Sequence, residues 1–293
     1  MLAPSGDHLG GCGASPAPFD HVQNVLVLWT HVSGCTGDAH FARWGCAADP
    51  DDVRLYHRYA RELETQPSTS LWMLLYREGY DQVTRVELGN TTSPGKAHHC
   101  DGPACAQNGI AAWGEQAVWR MYPRLAQAVR QHPHIEKEAP YLRNYYWFHA
   151  ALSLWFARFG ACYPQARYVW RLETDVLWSD TIDTLIRLGW DDTTSDVLLP
   201  ETYGENMSLG ARMYFHLPWQ TFLGNVPFDK HVYALVCVGR YSRHFLLDVM
   251  QRLWTSGVAG YEELLIPSTC LNVSDCRLGL LNGWTSAASN HVK

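Results

Sequence analysis

The stretch of sequence that says most about the fold is Ala166-Arg-Tyr-Val-Trp-Arg-Leu-Glu-Thr-Asp-Val-Leu-Trp178. Its first half is rich in apolar and aromatic residues, which predicts a buried strand. Glu173 and Asp175 interrupt the apolar run, and Ser179-Asp180 is then predicted to cap a helix that extends through Leu188. Because ligands of open α/β sheets lie beyond the carboxyl ends of strands, this stretch predicts a functional site as well as a strand.

The segments on either side of this stretch also predict an α/β fold. Strand-like runs alternate with amphipathic or apolar helical runs, and the first strand, helix and strand form the unit that builds parallel sheets. The predicted strands lie at Val22 to Val32, Ser70 to Tyr76, Ser195 to Pro200 and His231 to Val238. The predicted helices begin at Asp49-Pro50, at about Asn144 and at Ser242, and the last two end at Gly160 and Gly257. Residues 84 to 112 are predicted to be an irregular insertion.

Composition indicates a folded chain and excludes several classes of partner. The chain has 293 residues, 47% of them hydrophobic and 18% charged, which is enough apolar material for a large core. We expect a flexible segment at residues 1–20 and a single domain at 21–293. Lys and Arg total 23 against 29 Asp and Glu, without a basic run, so nucleic acid is a poor candidate partner. A run of roughly 18 apolar residues, which a spanning helix needs, does not occur.

Cysteines and glycosylation sequons favour the secretory pathway, either the Golgi lumen or secretion. Nine cysteines and sequons at Asn90, Asn206 and Asn272 are typical of an oxidising compartment. No secretory signal is visible at the N-terminus, so we expect that the true start of the protein precedes this chain. The expected disulfides are Cys35–Cys46, Cys100–Cys105 and Cys270–Cys276. The alternative is that the sequons arise by chance and that cysteines such as Cys162 and Cys237 are free core residues.

Glu173 and Asp175 are the strongest candidates for a metal site. They lie two residues apart in extended chain, so their side chains project to the same side of the strand. Carboxylate oxygens suit Mg²⁺ or Mn²⁺, and a nucleotide diphosphate commonly completes the shell of such an ion. The alternative is structural, with Glu173 in a salt bridge to Arg171 and Asp175 a solvated turn residue.

The segment from Tyr168 to Trp178, followed by a capped helix, resembles the acidic metal motif of GT-A-fold glycosyltransferases. Two later segments are similar to parts of the same family. Arg240-Tyr-Ser-Arg, a helix and Gly257-Val-Ala-Gly-Tyr-Glu-Glu-Leu-Leu-Ile-Pro267 resemble its acceptor-side segment, and the terminal His291 resembles a late metal ligand. The resemblance implies a three-layer GT-A-like, Rossmann-like mixed sheet with helices on both faces. It also implies a nucleotide half at about 21–178 and an acceptor half at about 179–293.

The resemblance also implies a reaction and a set of site residues. The reaction is transfer of a sugar from a nucleotide-sugar donor, with Mn²⁺ or Mg²⁺, to a glycan or glycoprotein acceptor. Glu173, Asp175 and His291 would hold the metal and the diphosphate. Glu263 or Glu262 would act as general base in an inverting transfer, because the acceptor hydroxyl must lose its proton as it attacks. This last role lapses if the transfer is retaining.

The sequence also contains weaker candidate site residues and is compatible with two rival functions. Thr30, His31 and Ser33 follow the first predicted strand and are candidate nucleotide contacts, although polar residues are common at strand ends. His98-His99-Cys100 with Cys105 matches no usual zinc spacing. Three tryptophans are candidate acceptor-groove residues, although core positions account for most such side chains: Trp178, Trp219 and Trp284. The rival functions are a carbohydrate-binding, non-catalytic descendant of the same fold and a metal-dependent phosphoester hydrolase.

Overall fold

The computed structural model describes residues 19–30, 50–76, 80–86, 107–132, 135, 146–174, 176, 178, 180–203, 224–225 and 228–281. The strands are β1 (Asn24–Trp29), β2 (Thr69–Tyr76), β3 (Thr84–Val86), β4 (Gly109–Trp113), β5 (Tyr168–Glu173), β6 (Val197–Leu199), β7 (Thr202–Tyr203), β8 (Tyr233–Ala234), β9 (Val238–Ser242) and β10 (Leu278–Leu280). The α-helices are α1 (Pro50–Leu63), α2 (Glu115–Met121), α3 (Pro123–Arg130), α4 (Phe148–Phe159), α5 (Ile182–Arg187), α6 (Met250–Ser256) and α7 (Glu262–Asn272). A π-helical segment, Phe245–Val249, precedes α6.

The core of the fold is an eight-stranded mixed sheet in the order β10-β6-β9-β5-β1-β2-β4-β3. Strands β5, β1, β2 and β4 are mutually parallel, and β6 and β10 also pair in parallel. Strand β9 runs antiparallel between β5 and β6, and β3 is antiparallel to β4 at the edge. Strands β7 and β8 form a separate two-stranded sheet. The predicted α/β class with a mixed sheet is therefore confirmed.

Helices cover both faces of this sheet, because alternate residues of each buried strand point to opposite sides. On β1, Val25, Val27 and Trp29 pack against the larger cluster, which contains the apolar residues of α2, α3, α4, α6 and α7. Leu26 and Leu28 pack against a smaller cluster, which contains residues of α1 and α5. The strands read as continuous apolar runs because both of their faces are buried.

The prediction of an irregular insertion at residues 84 to 112 is wrong at both ends of that range. Val86 lies in β3, and Gly109–Trp113 is a fully buried strand that pairs in parallel with β2. Gly109 allows this pairing: a Cβ at that position would lie 2.8 Å from the ring of Trp72. The five residues are too few to display a clear period, so the pairing with β2 decides their structure.

Two other predicted elements differ in detail from the structure. The predicted strand from His231 to Val238 is divided, since Tyr233–Ala234 joins the small sheet and Val238 begins β9 of the large sheet. The helix after Asp180 is capped by Thr181, whose side chain accepts a hydrogen bond from the backbone N–H of Thr184. Ser242 caps the following helix as predicted, because its Oγ accepts from the N–H of Phe245.

One of the three predicted disulfides, Cys270–Cys276, is confirmed, with a Cα–Cα distance of 4.9 Å. Cys162 is also disulfide-bonded, so its interpretation as a free core residue is wrong, and its partner lies outside the described residues. Cys237 is not in a disulfide. The other predicted pairs, the residues proposed for zinc, the segment 1–18 and the sequons at Asn90 and Asn206 lie outside the described residues.

The sequon residue Asn272 joins α7 to the segment before β8. Its amide nitrogen donates to the carbonyls of Lys230 (2.7 Å) and Ser268 (2.8 Å). Its Oδ1 accepts from the backbone N–H groups of Asp229 and Lys230. The side chain therefore has a structural role in the folded protein. Within the described ranges, no helix has the length and apolar character that crossing a membrane requires.

Candidate functional site

The candidate site lies at the carboxyl edge of the sheet, where β5 ends at Glu173. The backbone N–H of Glu173 donates to the carbonyl of Cys237 (2.9 Å), just before β9. The N–H of Thr174 donates to the carbonyl of Trp29 (3.0 Å), at the end of β1. The backbone of Glu173 and Thr174 is therefore held by the segments on both sides of β5.

Thr30 lies at the same edge, directly after β1. Thr30 is 2% exposed, and its hydroxyl donates to the carbonyl of Leu74 on β2 (3.1 Å). In this arrangement the hydroxyl supports the strand end. His31, Ser33, Asp175 and His291, together with Trp219 and Trp284, lie outside the described residues. Trp178 is half-buried on the α1 and α5 side of the sheet, and its indole N–H donates to the carbonyl of Thr181.

Arg171 is the centre of a buried ionic cluster behind Glu173. It lies on the same face of β5 as Glu173 and is 1% exposed. Its Nη1 and Nη2 donate to Oε2 and Oε1 of Glu262, at 2.8 and 2.9 Å, in a bidentate pair. Its Nη2 also donates to Oε1 of Glu173 at 2.5 Å. The predicted alternative, a salt bridge between Arg171 and Glu173, is thus present, and it is part of a larger network.

His149 of α4 extends this cluster. Its Nδ1 lies 2.9 Å from Oε2 of Glu262, and its Nε2 lies 3.4 Å from Nη1 of Arg171. The ring of Tyr241 packs edge-on against the imidazole, with the ring centroids 5.0 Å apart. Burial lowers the pKa of His149 to about 4, and the proximity of Glu262 only partly opposes this shift. His149 is therefore neutral near pH 7.

Among the described residues, carboxyl groups outnumber cationic groups in this cluster. The carboxyl groups of Glu173 and Glu262 share one guanidinium, that of Arg171. Burial and the neighbouring Glu262 and Glu173 carboxylates raise the pKa of Glu263 well above its usual range, so this carboxyl tends to keep its proton.

The two predicted base candidates occupy different environments. Both oxygens of Glu262 accept hydrogen bonds from Arg171, so this residue is committed to the cluster. The Oε2 of Glu263 is buried, and no group in the described part of the chain donates to it. A raised pKa brings a carboxylate closer to the pH at which a general base is most effective. Of the two carboxyl groups, Glu263 is therefore the one that Arg171 does not already bind through both oxygens.

The described residues supply only part of a metal site. They contain no group of three or more His, Cys, Asp or Glu side chains that could hold a metal ion. Glu173 provides oxygen donors of the type that Mg²⁺ and Mn²⁺ prefer, although its Oε1 is shared with Arg171. This donor chemistry is compatible with a divalent cation, but Glu173 alone does not complete the coordination shell of such an ion.

No protein-family model matches the chain, and a comparison with the curated proteins finds no match either.

Sequence reasoning missed His149 as part of the candidate site. One feature of the sequence could have identified it: His149 is an ionisable residue in a helix that is otherwise almost entirely apolar. The helix α4 buries four large apolar side chains together with the imidazole: Phe148, Leu152, Trp155 and Phe156. A buried ionisable side chain in such a helix requires a partner. The partner, Glu262, is 113 residues further along the chain, so the sequence alone does not identify it.

The low pKa of His149 predicts a specific dependence of stability on pH. The unfolded state takes up a proton near pH 6.5, whereas the folded state does so only near pH 4, so this residue stabilises the fold above pH 6.5. Its contribution falls as the pH decreases through this window. The stability difference between wild type and His149→Gln should shrink by about 3 kcal/mol between pH 7 and pH 4, as measured by urea unfolding.

The two proteins must be compared at each pH, because the raised pKa of Glu263 makes the free energy of unfolding fall with rising pH in both wild type and His149→Gln. Subtracting one free energy from the other removes this shared effect. His57→Gln, at an exposed position of α1, is the matched control for the loss of one imidazole. A pH-independent difference between wild type and His149→Gln would contradict the neutral, buried state of this imidazole.

Proposed function

We propose that this protein is a metal-dependent glycosyltransferase that moves a sugar from a nucleotide-sugar donor to a protein or glycan acceptor. One observation carries the proposal: the fold brings Glu173, at the end of β5, into one buried cluster with Glu262 at the start of α7, 89 residues away in sequence. This edge of the sheet is the one at which ligands of α/β folds bind. Glu173 is thus close in space to Glu262, the residue directly before the candidate base Glu263.

Each group has a defined role in the proposed reaction. A bound Mn²⁺ or Mg²⁺ would stabilise the negative charge of the departing diphosphate. Asp175 and Glu173 would hold this ion, and Arg171 would fix the orientation of Glu173. In an inverting transfer, the ionised form of Glu263 would accept the proton of the acceptor hydroxyl as its oxygen attacks the anomeric carbon.

The mixed sheet and its two helical layers support the GT-A-like interpretation at the level of architecture. In the GT-A-like pattern the acidic motif ends a central strand, and β5 has β1 on one side and β9 on the other. The disulfides at Cys270–Cys276 and at Cys162 support the proposal that the protein acts in the secretory pathway, because such bonds persist in oxidising compartments.

A second candidate function is binding of carbohydrate without catalysis. The observation that favours it is the ion pair between Arg171 and Glu173, because a guanidinium that already neutralises the motif carboxylate lowers its affinity for a cation. On this alternative the protein would bind glycans and would leave nucleotide-sugars intact.

Donor turnover distinguishes the two candidates. The purified chain would be incubated with a panel of UDP-sugars and GDP-sugars, with glycan acceptors, and either with Mn²⁺ or with EDTA. Release of nucleoside diphosphate that requires both Mn²⁺ and acceptor supports the transferase. Glycan binding without release from any donor supports the non-catalytic alternative.

A further inference from the structure

A cavity of about 460 Å³ lies at the opposite edge of the sheet from Glu173. Its lining includes Tyr168, the first residue of β5, and Ser242, the last residue of β9. Because five residue steps along β5 separate Tyr168 from Glu173, the two places are roughly 17 Å apart. The cavity is therefore separate from the candidate site, and its volume is in the range of small-molecule pockets.

Arg243 forms a rigid cationic part of the cavity wall. Its Nη2 donates to the carbonyls of Gly160 (3.2 Å) and Tyr163 (3.0 Å), and its Nε donates to the carbonyl of Ala166. Its guanidinium also packs over the ring of Phe156, 4.9 Å from the centroid. These contacts hold the guanidinium in place before any ligand arrives, which lowers the entropic cost of binding to it.

In the described part of the cavity wall, Arg167 is the charged group whose donors are available to a ligand. The exposed guanidinium of Arg167 makes no hydrogen bond or ion pair with the described residues. The wall carboxylates are committed: Asp196 accepts from the hydroxyl of Ser242 and the N–H of Arg277, and Asp248 pairs with His244. Burial lowers the pKa of His244, but its hydrogen bonds to the Asp248 carboxylate and to the Asp275 carbonyl outweigh this effect and raise the pKa, which adds positive charge at mildly acidic pH.

Two further features fit a binding role. The hydroxyl-bearing side chains of Thr193 and Thr194 line the cavity beside the arginines. The helix that follows Ser242 begins with the π-helical segment Phe245–Val249, and such segments occur frequently at functional sites.

We propose that this cavity binds a ligand of monosaccharide size that carries a carboxylate or a phosphate group. The anionic group would contact Arg167 and Arg243, and the hydroxyl groups of the sugar would exchange hydrogen bonds with the threonines. The proposal does not depend on glycosyl transfer, because the cavity shares no residue with the Glu173 site.

Calorimetric titration of the full chain tests this proposal. The probes are glucuronate, glucose 6-phosphate, inorganic phosphate and, as the neutral control, glucose. We expect binding of the two acidic sugars, weakening with added salt, and no binding of glucose. The acidic sugar that binds more tightly shows whether the cavity prefers a carboxylate or a phosphate group. Arg167→Ala should weaken binding by about 10-fold or more, the effect of one charge-assisted hydrogen bond.

Arg130→Ala is the matched control, because Arg130 is an exposed arginine at the end of α3, away from the cavity. This variant should bind as the wild type does. The proposal is overturned if neither acidic sugar binds at low salt, or if Arg167→Ala and wild type bind equally well. Equal affinity for inorganic phosphate and glucose 6-phosphate would overturn the sugar component.

Discussion

Replacing Arg171 with Met is expected to lower the free energy of unfolding by about 3–5 kcal/mol, because it leaves buried carboxylates without their cation. The guanidinium makes hydrogen bonds to both Glu173 and Glu262, and neither it nor Glu262 is more than 3% exposed. Met retains much of the side-chain volume, so lost packing contributes little to the change. Urea unfolding of wild type and variant at pH 7 measures the effect.

Two further variants show whether charge is the cause. Arg187→Met removes an exposed ion pair with Asp183 on α5 and should cost less than about 1 kcal/mol. The double variant Arg171→Met, Glu262→Gln should recover part of the loss, because it removes one of the carboxylates left unpaired. A loss below about 1 kcal/mol in Arg171→Met would show that the cluster contributes little to stability.

Replacing Glu263 with Gln is expected to lower kcat by about 10²–10⁴-fold, which is the usual contribution of a general base. Gln has nearly the same shape but cannot accept the proton of the acceptor hydroxyl. Because Oε2 of Glu263 has no hydrogen-bond partner in the described ranges, the substitution should leave the ionic cluster and donor binding intact. Steady-state kinetics with the donor identified by turnover measure the change.

The pH profile separates a catalytic from a structural role for Glu263. Neighbouring carboxylates and burial raise its pKa, so the base form becomes populated only as the pH rises through that raised value. The rate of wild type should increase with pH over this range, and the increase should be absent in Glu263→Gln. Glu64→Gln, at an exposed position after α1, is the control. An unchanged kcat in Glu263→Gln would remove this residue from the proposed mechanism.

The main strands were predictable because they bury both faces. Thr69–Tyr76 is apolar or aromatic throughout from Leu71 onward, and Tyr168–Glu173 is apolar or aromatic except at Arg171 and Glu173. A local pattern identifies both strands. Gly109–Trp113 was not predictable in this way, because it is short and follows a segment rich in Gly, Pro and Cys. Its hydrogen bonds to β2 come from residues more than 30 positions away, and these tertiary contacts override local propensity.

The candidate site shows the same division between local and long-range information. The position of Glu173 at the carboxyl end of a strand follows from the sequence of β5, whereas the central place of this strand follows from its pairing with β1 and β9. The partners of Arg171 do not, because Glu262 is 91 residues away, and only the packing of α7 against the sheet brings the two together. A charged residue within an apolar strand does indicate that a buried partner exists.

The most direct test of the central claim is calorimetric binding of UDP and GDP, with and without Mn²⁺, to wild type, to Asp175→Ala and to Asp191→Ala. Asp191 is exposed and lies outside the candidate site, so its variant controls for the loss of one surface charge. A metal-dependent donor site at the end of β5 predicts that one nucleotide binds only with Mn²⁺, and that binding is lost in Asp175→Ala and kept in Asp191→Ala. Absence of nucleotide binding to wild type under both metal conditions, or equal binding to Asp175→Ala, would contradict the proposed donor site.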